Sequence, residues 1–130
     1  MPLPLGTWTI NINGTQHDFI LRSVDAKGVL DGGFPPDFGI VGFWNEASRV
    51  ITFVMQRSNF GPNRDLIVET VPEVYKGYLI STPTNPQTGE DVSWTLVGYV
   101  TAWDPKIATN VGGTGRRTEF GWFATIKEVV

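Results

Sequence analysis

The 130-residue chain contains no cysteine and a single histidine. Without cysteine, neither a disulfide framework nor a cysteine-based metal site can form. With His17 as the sole imidazole, a zinc site would need several carboxylates, an unusual donor set. No metal and no other cofactor is expected. Positive charge is also scarce: the net charge is -3, and no basic cluster exceeds Arg116-Arg117. A nucleic-acid partner therefore lacks its electrostatic basis. No apolar run approaches the ~20 residues that a membrane helix needs, so no membrane partner is expected. The MPLPLGTW start has no basic stretch leading into an apolar run. No secretory signal is read there, and the cytoplasm is the default expectation. No window carries a 3.6-residue apolar stripe over three turns, which argues against helices.

What is present is alternation and punctuation. Hydrophobic residues make up 41% of the chain, with 15 Gly and 9 Pro, the composition of one all-β domain spanning residues 1–130. Trp8, Ile10 and Ile12 share one face of the first strand, and Thr7, Thr9 and Asn11 share the other. Asn13-Gly14 is a strong hairpin signal because both residues tolerate positive φ. Further strands are expected over Thr15–Val24, Val29–Phe34, Phe38–Trp44, Arg49–Arg57, Val92–Trp103 and Thr118–Val129. Leu66–Val68 and Tyr75–Ile80 also look extended, with a bend or break expected at Pro72, which donates no ladder hydrogen bond. Residues 58–64, 81–91 and 104–117 read as loops. About eight strands in sequential hairpins favour an up-and-down antiparallel barrel, whose closure removes its unpaired edges. A β-sandwich is the other arrangement that alternation permits.

Gly6-Thr7-Trp8 resembles the first strand of the calycin superfamily. The continuation through Gly14-Thr15, Phe19-Ile20-Leu21 and the Gly28-Val29-Leu30-Asp31-Gly32-Gly33-Phe34 run is similar in order and spacing to the avidins. Tyr75-Lys76-Gly77-Tyr78 and Ser93-Trp94-Thr95-Leu96 look like segments of their sixth and seventh strands. The resemblance implies an avidin-like or lipocalin-like barrel with Trp8 closing one end. It does not carry over a biotin site. The polar residue after the first Trp is replaced by Thr9-Ile10, and Phe34 stands where the family has a Tyr. The carboxylate of the last strand falls at Trp122-Phe123, and the clamping Trp is missing from residues 112–115. Thr15 and Trp94 remain. Each lost hydrogen bond to a buried polar ligand costs roughly 1–3 kcal/mol, so tight biotin binding is not expected.

The first expectation is therefore a small-molecule-binding barrel with an aromatic, mostly apolar pocket. Its candidate lining is Phe19, Leu21, Phe34, Phe53, Trp94 and Trp122, with Thr15, His17 and Tyr78 as polar handles for an apolar ligand. A second possibility is a filled barrel acting as an oligomerisation or protein-interaction module, since 5 Trp and 8 Phe could crowd the lumen. A third is a calycin-like cyclase or isomerase, with His17 or an inward carboxylate as base; Asp18, Asp31, Glu69 and Glu119 fall in or near strands, but nothing in their spacing makes the facing pair of a glycosidase, and they read as exposed charges that keep the barrel soluble. No catalytic set is assigned, because no serine has a nucleophile-elbow context and Gly112–Gly115 precedes no helix. In the later strands both faces are apolar: Trp94, Leu96 and Val100 on one, Val97, Tyr99 and Trp103 on the other. An apolar outer face implies a cover. The expected cover is a second copy of the chain, making a homo-oligomer through the outer faces of the later strands, with the 58–64 and 104–117 loops folding over that face as the alternative.

Overall fold

The computed structural model describes residues 2–36, 38–60, 63, 66–83, 87–88, 92–108 and 112–129. Side chains are described over 2–36, 38–56, 63, 73–81, 87–88, 93–102 and 117–126. The eight strands are β1 (Gly6–Ile12), β2 (Thr15–Val24), β3 (Leu30–Phe34), β4 (Phe38–Asn45), β5 (Val50–Phe60), β6 (Leu66–Pro83), β7 (Val92–Ala108) and β8 (Gly112–Val129). Each pairs antiparallel with its sequence neighbours, and β1 pairs with β8 from Gly6↔Val129 to Ile12↔Trp122. The chain is thus a closed up-and-down β-barrel, without a helix among the described residues. A sandwich is excluded by the β1–β8 ladder.

Local chemistry explains the tight corners. Asn13 and Gly14 take φ values of 49° and 84°, and Asn11 Oδ1 accepts the Gly14 N–H at 3.1 Å. These are the dihedrals of a two-residue turn that matches strand twist. Asp25 Oδ1 accepts the N–H groups of Lys27 and Val29, both at 2.8 Å, and so folds the β2–β3 corner. Asn45 does the same for Ser48 at 3.1 Å before Arg49, whose φ is 60°.

Three readings change. Residues 58–60 extend β5, and residues 104–108 and 112–117 belong to β7 and β8. Of residues 61–65 and 109–111, only Asn63 lies within the described residues. Likewise β6 continues to Pro83, and residues 84–86 and 89–91 of the expected 81–91 loop lie outside the described residues. Pro72 does not break β6: Thr70 pairs with Gln56 and Val74 with Val54, so the register shift absorbs the residues between them. A bulge needs no ladder N–H at its centre, which makes it a tolerated place for proline.

The β6–β7 ladder stops at Glu73↔Ala102. β5–β6 pairing runs on to Phe60↔Leu66, and β7–β8 pairing to Ala108↔Gly112. Two separate hairpin arms therefore project past one end of the cylinder. At that end lie Ile12, Thr15, Phe34 and Phe38, and it is the mouth.

At the opposite end the lumen is sealed. Trp8 is fully buried, and its Nε1–H donates to Pro4 O at 3.3 Å. That bond, with buried Leu3, holds residues 2–5 across the opening. Trp44 is buried beside it and donates Nε1–H to Glu46 Oε2 at 2.6 Å. Each indole thus keeps its apolar body in the core and its polar atom satisfied nearby.

Candidate functional site

The mid-lumen is filled by five rings. Phe19 stacks on Phe34 at 4.9 Å and on Phe53 at 5.1 Å between centroids. Phe53 stacks on Tyr75 at 4.8 Å, and Trp122 meets Tyr75 edge-on at 6.1 Å. Such pairs contribute about 0.5–1.5 kcal/mol each beyond their area burial. Trp122 is held by its Nε1–H, which donates to Tyr99 O at 3.1 Å. Its ring lies over Gly77, where an added Cβ would come 2.5 Å from Trp122 Cζ2. Only a glycine leaves room for the indole at this crossing of β6.

Above this floor the mouth holds a cavity of about 450 Å³. Phe34, Tyr75, Phe38, Met55, Phe120 and Ile12 form its apolar wall. Thr15, His17, Glu73 and the Tyr75 hydroxyl are its polar groups, with Asn13, Pro35 and Pro36 on the rim. Tyr75 O–H donates to Glu73 Oε2 at 2.9 Å. Burial pushes the Tyr75 hydroxyl well above the usual phenol range, and the nearby Glu73 charge and this hydrogen bond add to the shift. Tyr75 therefore stays protonated and remains a donor to the carboxylate throughout the physiological range.

A larger recess, about 740 Å³, lies at the sealed end among Leu3, Val24–Gly28 and Phe43–Ala47. It is walled by turns and by the terminal segment. The mouth instead is walled by inward side chains of paired strands, which fix a ligand's surroundings more firmly. The mouth is the candidate site on that ground.

The nine residues singled out from the sequence divide among several positions. Phe19, Leu21, Phe34, Phe53 and Trp122 face the lumen and are buried. Phe34 alone of these lines the mouth cavity; the other four make the packed interior beneath it. Trp94 packs half-buried against the core towards the sealed end, far along β7 from the mouth. Thr15 and His17 lie exposed at the mouth, and His17 also borders a shallow outer depression with Thr9, Gln16 and Asp18. Tyr78 is not in the lumen: it stands on the outer face, 47% exposed. Glycine and leucine show why, since Tyr75, Gly77 and Leu79 carry the inward phase of β6 and Tyr78 has the opposite one.

Sequence reasoning missed Glu73 and placed the polar handle on the wrong tyrosine. The signal was the period-2 phase running back from Leu79 through Gly77 and Tyr75 to Glu73. Of the acids weighed as bases, Asp18 and Glu119 are exposed, and Asp31 is an outer-face partner of Arg22 at 3.6 Å. The side chain of Glu69 lies outside the described residues. Among the described residues no three His, Asp or Glu side chains gather into a metal-binding group.

The outside of the barrel is uneven. On β1 and β2 the outward residues are polar apart from Ile20: Thr7, Thr9, Asn11, Gln16, Asp18 and Arg22. On β6 to β8, Tyr78, Val97 and Phe123 form one cross-strand row. Ile80 and Tyr99 flank it, and Tyr78, Ile80, Tyr99 and Phe123 are 42–47% exposed. The side chain of Trp103 lies outside the described residues. Comparison with protein-family models, with curated proteins and with solved structures returned no match.

Proposed function

We propose that the protein is a small-molecule-binding barrel, calycin-like in plan, which holds a mostly apolar ligand in its mouth rather than deep in its lumen. The supporting observation is the cavity of about 450 Å³ above the aromatic floor, apolar on most sides with a few converging polar groups. That size and lining are typical of pockets for small organic molecules. The packed rings beneath the cavity limit the ligand to the mouth. Tight biotin binding is not expected, because Phe34 and Trp122, both buried, offer no partner at the positions where the avidin resemblance would put a hydroxyl and a carboxylate.

Native mass spectrometry of protein purified from its source tests this reading. The expected result is a retained small molecule that is lost on denaturation. Amide shifts on titration with released ligand should cluster at Ile12, Thr15 and Phe120. An empty protein whose mouth amides respond to no small molecule, or retention on biotin-agarose, would refute it.

A second reading concerns assembly. The Tyr78–Val97–Phe123 row, flanked by Ile80 and Tyr99, is a broad apolar surface on three adjacent strands, with Lys76 and Glu119 as described charges at its mouth-side edge. We propose that a second copy of the chain covers it, making a symmetric homo-oligomer through the later strands. Sedimentation velocity should give a multimer that Phe123→Lys converts to monomer; a wild-type monomer at 100 μM, taken as about the weakest useful affinity, would remove the proposal.

A further inference from the structure

The mouth has a chemical sign as well as a volume. Among its described lining residues there is one carboxylate, Glu73, one imidazole, His17, and no lysine or arginine. Phe34, Phe38, Phe120 and Tyr75 put four aromatic rings around the same space. Glu73 is half-buried there, and its carboxylate is oriented by the Tyr75 hydroxyl at 2.9 Å. That bond aims the group without neutralising it. From this pairing of an oriented carboxylate with aromatic walls, we propose that the mouth takes an organic cation: an ammonium group carried on an apolar or aromatic body. The inference rests on the small-molecule reading above and adds the ligand's charge.

The strand register shows why Glu73 carries an unmatched charge. Glu73 has Ala102 across from it on β7, and on the β5 side it falls in the register shift between Thr70 and Val74, with no partner position. No opposite charge therefore stands at a cross-strand position beside it on β5 or β7.

Two physical effects favour a cation there. A carboxylate shielded from bulk water attracts an opposite charge more strongly than an exposed one does. Aromatic faces attract cations through the ring quadrupole when the charge lies within about 6 Å of the ring centre. An anion meets the reverse of both. A neutral ligand keeps the apolar contacts and gains neither. The protein's net charge of -3 acts in the same direction at longer range.

The test uses three probes with one body: 2-phenylethylamine, 2-phenylethanol and 3-phenylpropionate, titrated near neutral pH by calorimetry and by amide shifts at the mouth. The expected order is amine, then alcohol, then carboxylate, with the amine at least about tenfold tighter than the alcohol. Glu73→Gln should reduce that preference to within about twofold. Tyr75→Phe, which keeps the carboxylate, should keep the preference for the amine. An alcohol or carboxylate that binds wild type as tightly as the amine overturns the charge assignment and leaves the pocket standing. So does an amine preference that survives in a folded Glu73→Gln protein. If none of the three moves a mouth amide, the pocket reading fails, and the charge assignment with it.

Discussion

The two ends of the cylinder use the same raw material and finish it in opposite ways. At the sealed end, Trp8 and Trp44 bury their ring systems and hand their N–H groups to acceptors four and two residues away, Pro4 O and Glu46 Oε2. The polar atom is disposed of locally, and the end becomes core. At the mouth, Tyr75 also has an acceptor two residues away, Glu73, but it lines a cavity walled by inward side chains of paired strands, whereas Glu46 borders a recess among turns and the terminal segment. The same i, i+2 relation makes a cap at one end and a polar feature facing a pocket at the other. The difference is what lies beyond the pair: the 2–5 segment crosses one opening, whereas two hairpin arms flank the other and leave it open.

If that contrast is correct, truncation at the sealed end should cost stability far more than truncation at the mouth. Trp8→Ala removes a fully buried ring and frees the 2–5 segment. The expected loss is about 3–5 kcal/mol in urea unfolding, the usual range for a buried Trp. Phe120→Ala, half-buried at the mouth, should cost distinctly less and instead weaken binding of any mouth ligand. Equal costs at the two positions would erase the distinction.

Gly77→Val probes the floor between the two ends. A side chain there would collide with the Trp122 ring, with the Cζ2 and Cη2 atoms 2.5 and 2.8 Å from the new Cβ. Overpacking of this kind costs typically about 1–3 kcal/mol. Because Trp122 stands against Tyr75 at 6.1 Å, the displaced indole should also be visible as a shift in tryptophan emission and in mouth amides. A stable Gly77→Val protein with unchanged emission would mean that the floor is looser than its geometry.

Much of this barrel was readable in the residues, and the misreadings have a common cause. The run from Thr15 to Val24 and the Asn13-Gly14 corner are decided locally, by alternation and by tolerance of positive φ, and both are found as expected. Phe19, Leu21, Phe53 and Trp122 were legible because a period of two places them on the inner wall. The arms were not. Pro105 pairs with Gly115, and Ile107 with Gly113, in a ladder that composition alone marks as loop. There the pairing of a long hairpin overrides weak strand propensity. At Tyr75 and Tyr78 the obstacle was phase: the two stand three residues apart and so on opposite faces, and the inward one is the tyrosine that shares its phase with Gly77 and Leu79. The fold was thus more legible than the site, because the site depends on a single residue of register.

Tyr75→Phe makes the smallest change and sharpens the comparison most, since it deletes the mouth's polar pair and keeps the ring. Near pH 8 the loss should be about 1 kcal/mol, the net worth of a typical hydrogen bond. The sign then depends on pH. Burial holds the Tyr75 proton in the folded state beyond the ordinary phenol range, whereas in the unfolded chain it ionises near the usual value of about 10. The stabilisation is therefore complete below about pH 10 and falls away above it, as the unfolded state alone releases a proton. Tyr75→Phe has no such proton to lose. Urea unfolding of the two proteins in parallel at pH 8 and pH 11 cancels the other titrating groups, so the wild-type advantage should shrink, then reverse. Absorbance at 295 nm should likewise show fewer than all 3 tyrosines ionising before the barrel unfolds. A wild-type advantage that stays constant to pH 11 would mean that Tyr75 reaches water in the folded protein, and that the mouth is wetter than its aromatic walls imply.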